Sequence, residues 1–97
     1  MEGRREYVEA LERKIEDWTA RLEALEARAA DADPEDKADY EERIDELWSR
    51  LDAAREQHGR LRDASEQTWA ECKAAVDRAW SDVEDSYTDF ERALARV

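Results

Sequence analysis

A chain of 97 residues with two glycines and one proline is long enough for one modest core but lacks the turn residues of a β-fold. Acidic groups outnumber basic ones in every third of the sequence, giving a net charge of −12, which excludes a basic face for nucleic acid or for an anionic membrane. No apolar run exceeds three residues, so we expect neither a transmembrane segment nor a signal peptide.

Apolar residues return every three or four positions through the first third of the chain. They are Val8, Leu11, Ile15, Trp18, Leu22, Leu25, Ala29 and Ala32. This spacing is a heptad repeat, which is typical of a helix with one narrow apolar face. The sequence therefore predicts a first helix from about residue 4 to 32.

The segment DADPED marks the boundary between the first helix and the second. Asp33 is placed to cap the next helix, Pro34 fits its first position, and Glu35 and Asp36 favour the positive end of the helix dipole. Heptad spacing then continues through Tyr40, Ile44, Leu47, Leu51, Ala54, His58 and Leu61. We predict a second helix from about residue 34 to 60.

The heptad spacing slips around residues 58–66, and two interpretations fit. Either one helix continues through an eleven-residue pattern, or it ends near Gly59 and restarts with Asp63 as cap and Glu66 closing a capping box. In the second case a third helix runs from about residue 64 to 95. Its apolar face would hold Trp69, Cys72, Val76, Trp80, Val83, Tyr87, Phe90 and Leu94.

Charges beside the apolar faces favour three helices, with the first and third parallel. Three basic–acidic pairs recur at a constant separation of 63 residues: Lys14 with Asp77, Arg21 with Glu84, and Arg28 with Glu91. We predict an all-α fold, an antiparallel coiled-coil-like three-helix bundle forming a single domain over residues 1–97. The alternative is a helical hairpin whose long, continuous second helix dimerises.

The residue types that carry chemistry are sparse. An acidic run resembling a calcium loop has Asp36 where the loop needs glycine, so we interpret it as a capped turn. We interpret His58 as a polar layer between helices and Cys72 as a small core residue. The sequence predicts no catalytic, cofactor-binding or metal-binding residues, no cofactor, and no enzymatic activity.

The stretch YEERIDELWSRLDAAREQHGRLRDASEQTWAECKAAVDRAW resembles a group of small bacterial coiled-coil proteins described as stress-response proteins. The residues that carry the resemblance are Tyr40, Ile44, Leu47, Leu51, Leu61, Ala64, Ser65, Trp69, Lys73, Val76, Ala79, Trp80 and Val83. The resemblance implies a charged, alanine-rich helical protein that serves under stress and has no agreed catalytic role.

These observations lead to an expected function and one alternative. We expect an acidic, cytoplasmic, bacterial coiled-coil protein that acts through protein–protein contacts, with a second copy of itself in a homo-dimer or with another protein. The alternative is an amphipathic binder that opens its helices onto hydrophobic granules or lipid surfaces. The sequence leaves the partner and the oligomeric state open.

Overall fold

The computed structural model describes residues 2–95, which form three helices packed side by side. Helix α1 spans Glu2–Ala30, α2 spans Pro34–Arg62 and α3 spans Trp69–Ala95. The chain runs up, down and up again in a bundle of 51 × 19 × 17 Å, and no strand occurs within this range. The prediction of an all-α three-helix bundle is confirmed.

The first reversal is short, and α1 ends two residues earlier than expected. The amides of Asp31 and Ala32 donate to carbonyls three residues back, which tightens the last turn. Asp33 holds the N-cap position of α2, but its side chain makes no capping hydrogen bond. Instead its carbonyl accepts from the amides of Asp36 and Lys37, and Pro34 begins the helix as predicted.

The second reversal corrects two expectations. Residues 63–68 are not helical, so the continuous helix of the alternative fold is wrong, and α3 begins at Trp69 rather than near residue 64. Asp63 closes α2, because its amide donates to the Gly59 and Leu61 carbonyls, and it does not cap α3. Ser65 and Thr68 share the capping instead, with each backbone amide donating to the other residue's hydroxyl.

One chain buries a continuous apolar core along the bundle axis. Its members are Leu11, Trp18, Leu22, Leu25, Ala29, Tyr40, Ile44, Leu47, Leu51, Ala54, Leu61, Val76, Trp80, Val83 and Phe90. Every one of these residues occupies a predicted heptad position. Fully burying a large apolar side chain stabilises a fold by about 1.5–3 kcal/mol, so this core is the main source of stability.

The predicted ion pairs between α1 and α3 form in part. Arg28 lies 4.0 Å from Glu91, as expected, but Lys14 lies 3.2 Å from Glu84 rather than beside Asp77. The contacts therefore join residues 63 positions apart in one case and 70 in the other. Asp77 and Glu84 lie one heptad apart on the same face of α3, so the heptad pattern alone does not decide which of them Lys14 meets.

Competing contacts explain why the other two predicted pairs are missing. The Tyr7 hydroxyl donates to the Asp77 carboxylate at 3.0 Å, so this carboxylate is engaged. The Arg21 guanidinium lies over the ring of Trp18, 5.0 Å from its centroid, and forms no ion pair with Glu84 within the described residues. A face-on contact between a cation and an indole is comparable in strength to an exposed ion pair.

Candidate functional site

The central part of the apolar face of α3 is interior rather than a binding surface. Val76, Trp80, Val83 and Phe90 are each at most 3% exposed. Trp80 meets Trp18 of α1, and Phe90 meets Tyr40 of α2 with ring centroids 5.3 Å apart. A ligand or partner could reach this part of the face only if the helices separated.

The outer surface is rich in charged side chains, and some of them form local ion pairs. Pairs at i, i+4 spacing join Arg5 to Glu9, Asp39 to Arg43, Glu46 to Arg50, and Glu56 to Arg60. Such exposed pairs stabilise a helix by about 0.2–0.5 kcal/mol each. The acidic exterior therefore has the features of a solvated surface.

One concavity at the end of the bundle differs from this surface. It lies where the start of α1 meets the 63–68 connection and the start of α3, and its volume is about 460 Å³. Its lining residues are Gly3, Arg4, Tyr7, Glu66, Trp69 and Lys73. We call it the Tyr7–Trp69 concavity.

Two half-buried rings form the apolar part of this concavity. Tyr7 and Trp69 meet edge to face, with centroids 5.9 Å apart and planes at 73°. Their approach depends on helix position, because Tyr7 lies in the second turn of α1 and Trp69 opens α3. Edge-to-face packing leaves ring faces open to other groups.

Each ring carries a cation on its face. The Arg4 guanidinium lies 4.5 Å from the Trp69 centroid, and the Lys73 ammonium lies 4.9 Å from the Tyr7 centroid. Arg4 also donates to the carbonyl of Ala64. Within the described residues, neither cation forms an ion pair with a carboxylate, so both retain donors for an incoming group.

A hydrogen bond from its hydroxyl to the Asp77 carboxylate holds the Tyr7 ring in place beside Trp69. Burial, the hydrogen bond to Asp77 and the charge of that carboxylate together raise the pKa of Tyr7 from its ordinary 10.0 to about 12, with burial as the largest cause. The hydroxyl therefore remains a donor at neutral pH. Tyr7 orients the site and is not suited to act as a base there.

A second feature lies between α1 and α3. The backbones of these two helices are further apart than those of the other helix pairs, and long or aromatic side chains fill the space. The Trp80 indole N–H is buried there and has no hydrogen-bond partner among the described residues. The ammonium of Lys14 lies 4.9 Å from the centroid of the Trp80 ring.

The structure places the other chemically interesting residues apart from one another. His58 is buried, with its Nε2 3.4 Å from the Val8 carbonyl and 3.9 Å from the Glu12 carboxylate. Cys72 is half-buried and packs against the core. In the part of the chain that the structure describes, no three His, Cys, Asp or Glu side chains are grouped so as to hold a metal ion.

The sequence interpretation missed the Tyr7–Trp69 concavity. Tyr7 lies one position before the first heptad residue, so the apolar pattern passes over it. The spacing held a signal nevertheless, because Arg4 is three residues before Tyr7 and Lys73 is four residues after Trp69, the distances at which helix side chains are neighbours. Whether Tyr7 meets Trp69, however, depends on the position of α3 relative to α1 along the bundle axis, which the spacing does not give.

No helix among residues 2–95 is both long enough and apolar enough to cross a membrane. No protein-family model, curated protein or solved structure matches this chain.

Proposed function

We propose that this chain is a non-enzymatic interaction module, a folded acidic bundle that contacts a partner protein through the Tyr7–Trp69 concavity. The resemblance to bacterial stress-response proteins supports a stress-associated role for it. The arginine-rich composition and the single cysteine support a bacterial, reducing cytoplasm as its location.

The observation that carries the proposal is how the aromatic residues are divided. Four aromatic rings are buried in the core and four are half-buried, and of the half-buried ones Tyr7 and Trp69 meet each other at one end of the bundle. Aromatic and arginine side chains are the residues that most often dominate binding energy at protein interfaces. The concavity combines both types on an otherwise solvated, acidic surface.

Site-specific photo-crosslinking in cells tests this proposal. In one variant a photoreactive residue replaces Glu66, which lines the concavity. In the control variant it replaces Asp45, an exposed residue of α2 that does not line the concavity. Both positions are acidic and exposed, so the two variants undergo the same change of charge. We expect a discrete crosslinked protein from position 66 and none from position 45. Equal crosslinking from both positions, or none from position 66, would contradict the proposal.

A second candidate function is binding to hydrophobic granules or lipid by an opened bundle. The wide spacing of α1 and α3 favours it, because parting these helices disrupts little close backbone packing. Parting them would also let the unpaired Trp80 N–H reach a hydrogen-bond acceptor. Co-sedimentation with lipid vesicles, together with a blue shift of tryptophan emission beyond that of the free protein, would support this candidate. A protein that stays in the supernatant with unchanged emission would exclude it.

A further inference from the structure

We infer that the Tyr7–Trp69 concavity binds the C-terminal carboxylate of a partner polypeptide whose last residue carries a large apolar side chain. The inference rests on the proposed function and names the part of the partner that the site recognises. The rings would hold the side chain, and Arg4 and Lys73 would hold the carboxylate.

The first argument is that Arg4 already has contacts that position it and still has free hydrogen-bond donors. Its guanidinium carbon lies over the Trp69 ring, 4.5 Å from the centroid, and one donor is used on the Ala64 carbonyl. A guanidinium has five N–H donors in one plane, so most of them remain at its edge. These contacts thus leave donors of the guanidinium free, and a guanidinium binds a carboxylate with two parallel hydrogen bonds. Because Arg4 is already ordered, binding costs less side-chain entropy.

Charge is the second argument. Arg4 and Lys73 bring two positive charges to the concavity; among the described residues Glu66 lines it, and the Asp77 carboxylate is held on the Tyr7 hydroxyl. Two cations without an ion-pair partner among the described residues thus lie on the ring faces of the concavity, although the chain as a whole carries a net charge of −12. At physiological ionic strength, charges more than about 8 Å away are largely screened, so a carboxylate bound here would depend on direct contact with Arg4 and Lys73 rather than on the charge of the whole chain.

The size of the site and the chemistry of a chain end select this occupant. A volume of about 460 Å³ admits one large residue and not a folded surface. A C-terminal residue carries its carboxylate and its side chain on the same Cα, so both groups reach a small site together. An internal Asp or Glu has the carboxylate without an apolar group on the same residue. Capture of a C-terminal carboxylate is a known mode of peptide recognition.

The test uses N-acetyl-phenylalanine as a minimal chain end, with its neutral amide as the matched control. Binding is followed by the four indole N–H signals in an ¹H–¹⁵N correlation spectrum of the full chain. We expect the carboxylate probe to shift the Trp69 signal and to leave Trp18, Trp48 and Trp80 in place. The amide should cause no shift at the same concentration.

Charge-neutralising variants locate the contact. Arg4→Gln should raise the dissociation constant of the probe about tenfold, because a charge-assisted double hydrogen bond is lost. Arg13→Gln makes the same change of charge on an exposed position of α1 and should have no effect. Glu66→Gln should tighten binding about twofold, because a like charge is removed. Lys73→Gln provides a second loss-of-binding variant in case Arg4→Gln disturbs the fold.

Several results would overturn the inference. They are an unmoved Trp69 signal up to about 20 mM probe, equal binding of the amide, and unchanged affinity in both Arg4→Gln and Lys73→Gln. Binding of benzoate that is tighter than that of N-acetyl-phenylalanine would assign the site to a small free carboxylate instead. A crosslinked partner at position 66 without probe binding would reject the chain-end ligand and keep the interaction module. Probe binding without a crosslinked partner would keep the carboxylate site and contradict the proposed interaction module.

Discussion

The ring of Trp18 in α1 lies edge-on against the ring of Tyr87 in α3, with centroids 5.0 Å apart and planes at 90°. Trp80, two turns before Tyr87 in α3, also contacts Trp18, with ring centroids 6.3 Å apart. These rings span the wide gap between the two parallel helices. The contact between α1 and α3 thus depends on a few large side chains rather than on close backbones.

Replacing Trp18 by alanine should therefore destabilise the bundle strongly. Truncating a buried tryptophan costs about 3–5 kcal/mol, and a domain of this size has a total stability of about 5–15 kcal/mol. We expect Trp18→Ala to lower the free energy of unfolding in urea by about 3–5 kcal/mol. Trp48→Ala is the control, because Trp48 is half-buried and its indole N–H donates to exposed Glu26, so it should cost less than half as much. Equal losses would contradict the proposed role of Trp18 between the helices.

The buried indole N–H of Trp80 predicts that Trp80 tolerates replacement by phenylalanine better than Trp18 does. An unsatisfied buried donor costs about 1–3 kcal/mol, and phenylalanine removes it while keeping most of the apolar ring. We expect Trp80→Phe to lower the free energy of unfolding by less than Trp18→Phe, although both rings are nearly fully buried. A larger loss at Trp80 would show that its N–H has a partner in solution.

The core was predictable because burial follows directly from periodicity. A side chain that recurs every three or four residues lies on one face of a helix, and that face must be covered. All the buried apolar residues of α2 lie on the predicted face, and so does His58. The same logic failed for Tyr7, because a residue beside the face is buried or exposed according to what the next helix places over it.

Connections and register were harder to predict because competing local contacts have similar energies. Asp63 with Glu66, and Ser65 with Thr68, are alternative caps within one short segment, and each kind is worth about 1 kcal/mol. Likewise, like charges repeat every seven residues, so Lys14 can meet either of two carboxylates. Three-dimensional packing decides between such alternatives.

The capping of α3 can be tested by two pairs of substitutions. The Ser65 amide lies 3.1 Å from the Thr68 hydroxyl, and the Thr68 amide lies 3.3 Å from the Ser65 hydroxyl. We expect Ser65→Ala and Thr68→Ala each to lower the free energy of unfolding by about 1 kcal/mol. Asp63→Ala and Glu66→Ala should change it by less than about 0.5 kcal/mol. The opposite ranking would restore the cap predicted from sequence.

A double-mutant cycle tests the register between α1 and α3. The ammonium of Lys14 lies 3.2 Å from the Glu84 carboxylate, and both side chains are partly exposed. We expect a coupling of about 0.2–1 kcal/mol between Lys14→Ala and Glu84→Ala in urea unfolding, falling as salt is added. The cycle between Lys14 and Asp77 should give less. A stronger coupling to Asp77 would mean that α3 is displaced by one heptad along α1.

The raised pKa of Tyr7 predicts how stability depends on pH in the alkaline range. In the folded protein the pKa is about 12, whereas the unfolded chain has the ordinary value of 10.0, so the unfolded state loses the proton first. The stabilisation from Tyr7 is thus complete below pH 10 and is lost as the pH rises toward 12. Urea unfolding of the wild type and Tyr7→Phe at about pH 8 and about pH 11 measures this loss, because other titrating groups are common to both proteins.

We expect the wild type to be the more stable protein at the lower pH, by about 0.5–1 kcal/mol from the hydrogen bond to Asp77. The difference should shrink at the higher pH, since phenylalanine does not titrate. Burial also raises the pKa of Tyr87, and the charge of Glu91 adds to the effect, so Tyr87→Phe should show a separate change in the same direction. A difference between wild type and Tyr7→Phe that stays constant across this range would mean that the Tyr7 hydroxyl is open to water and not bonded to Asp77.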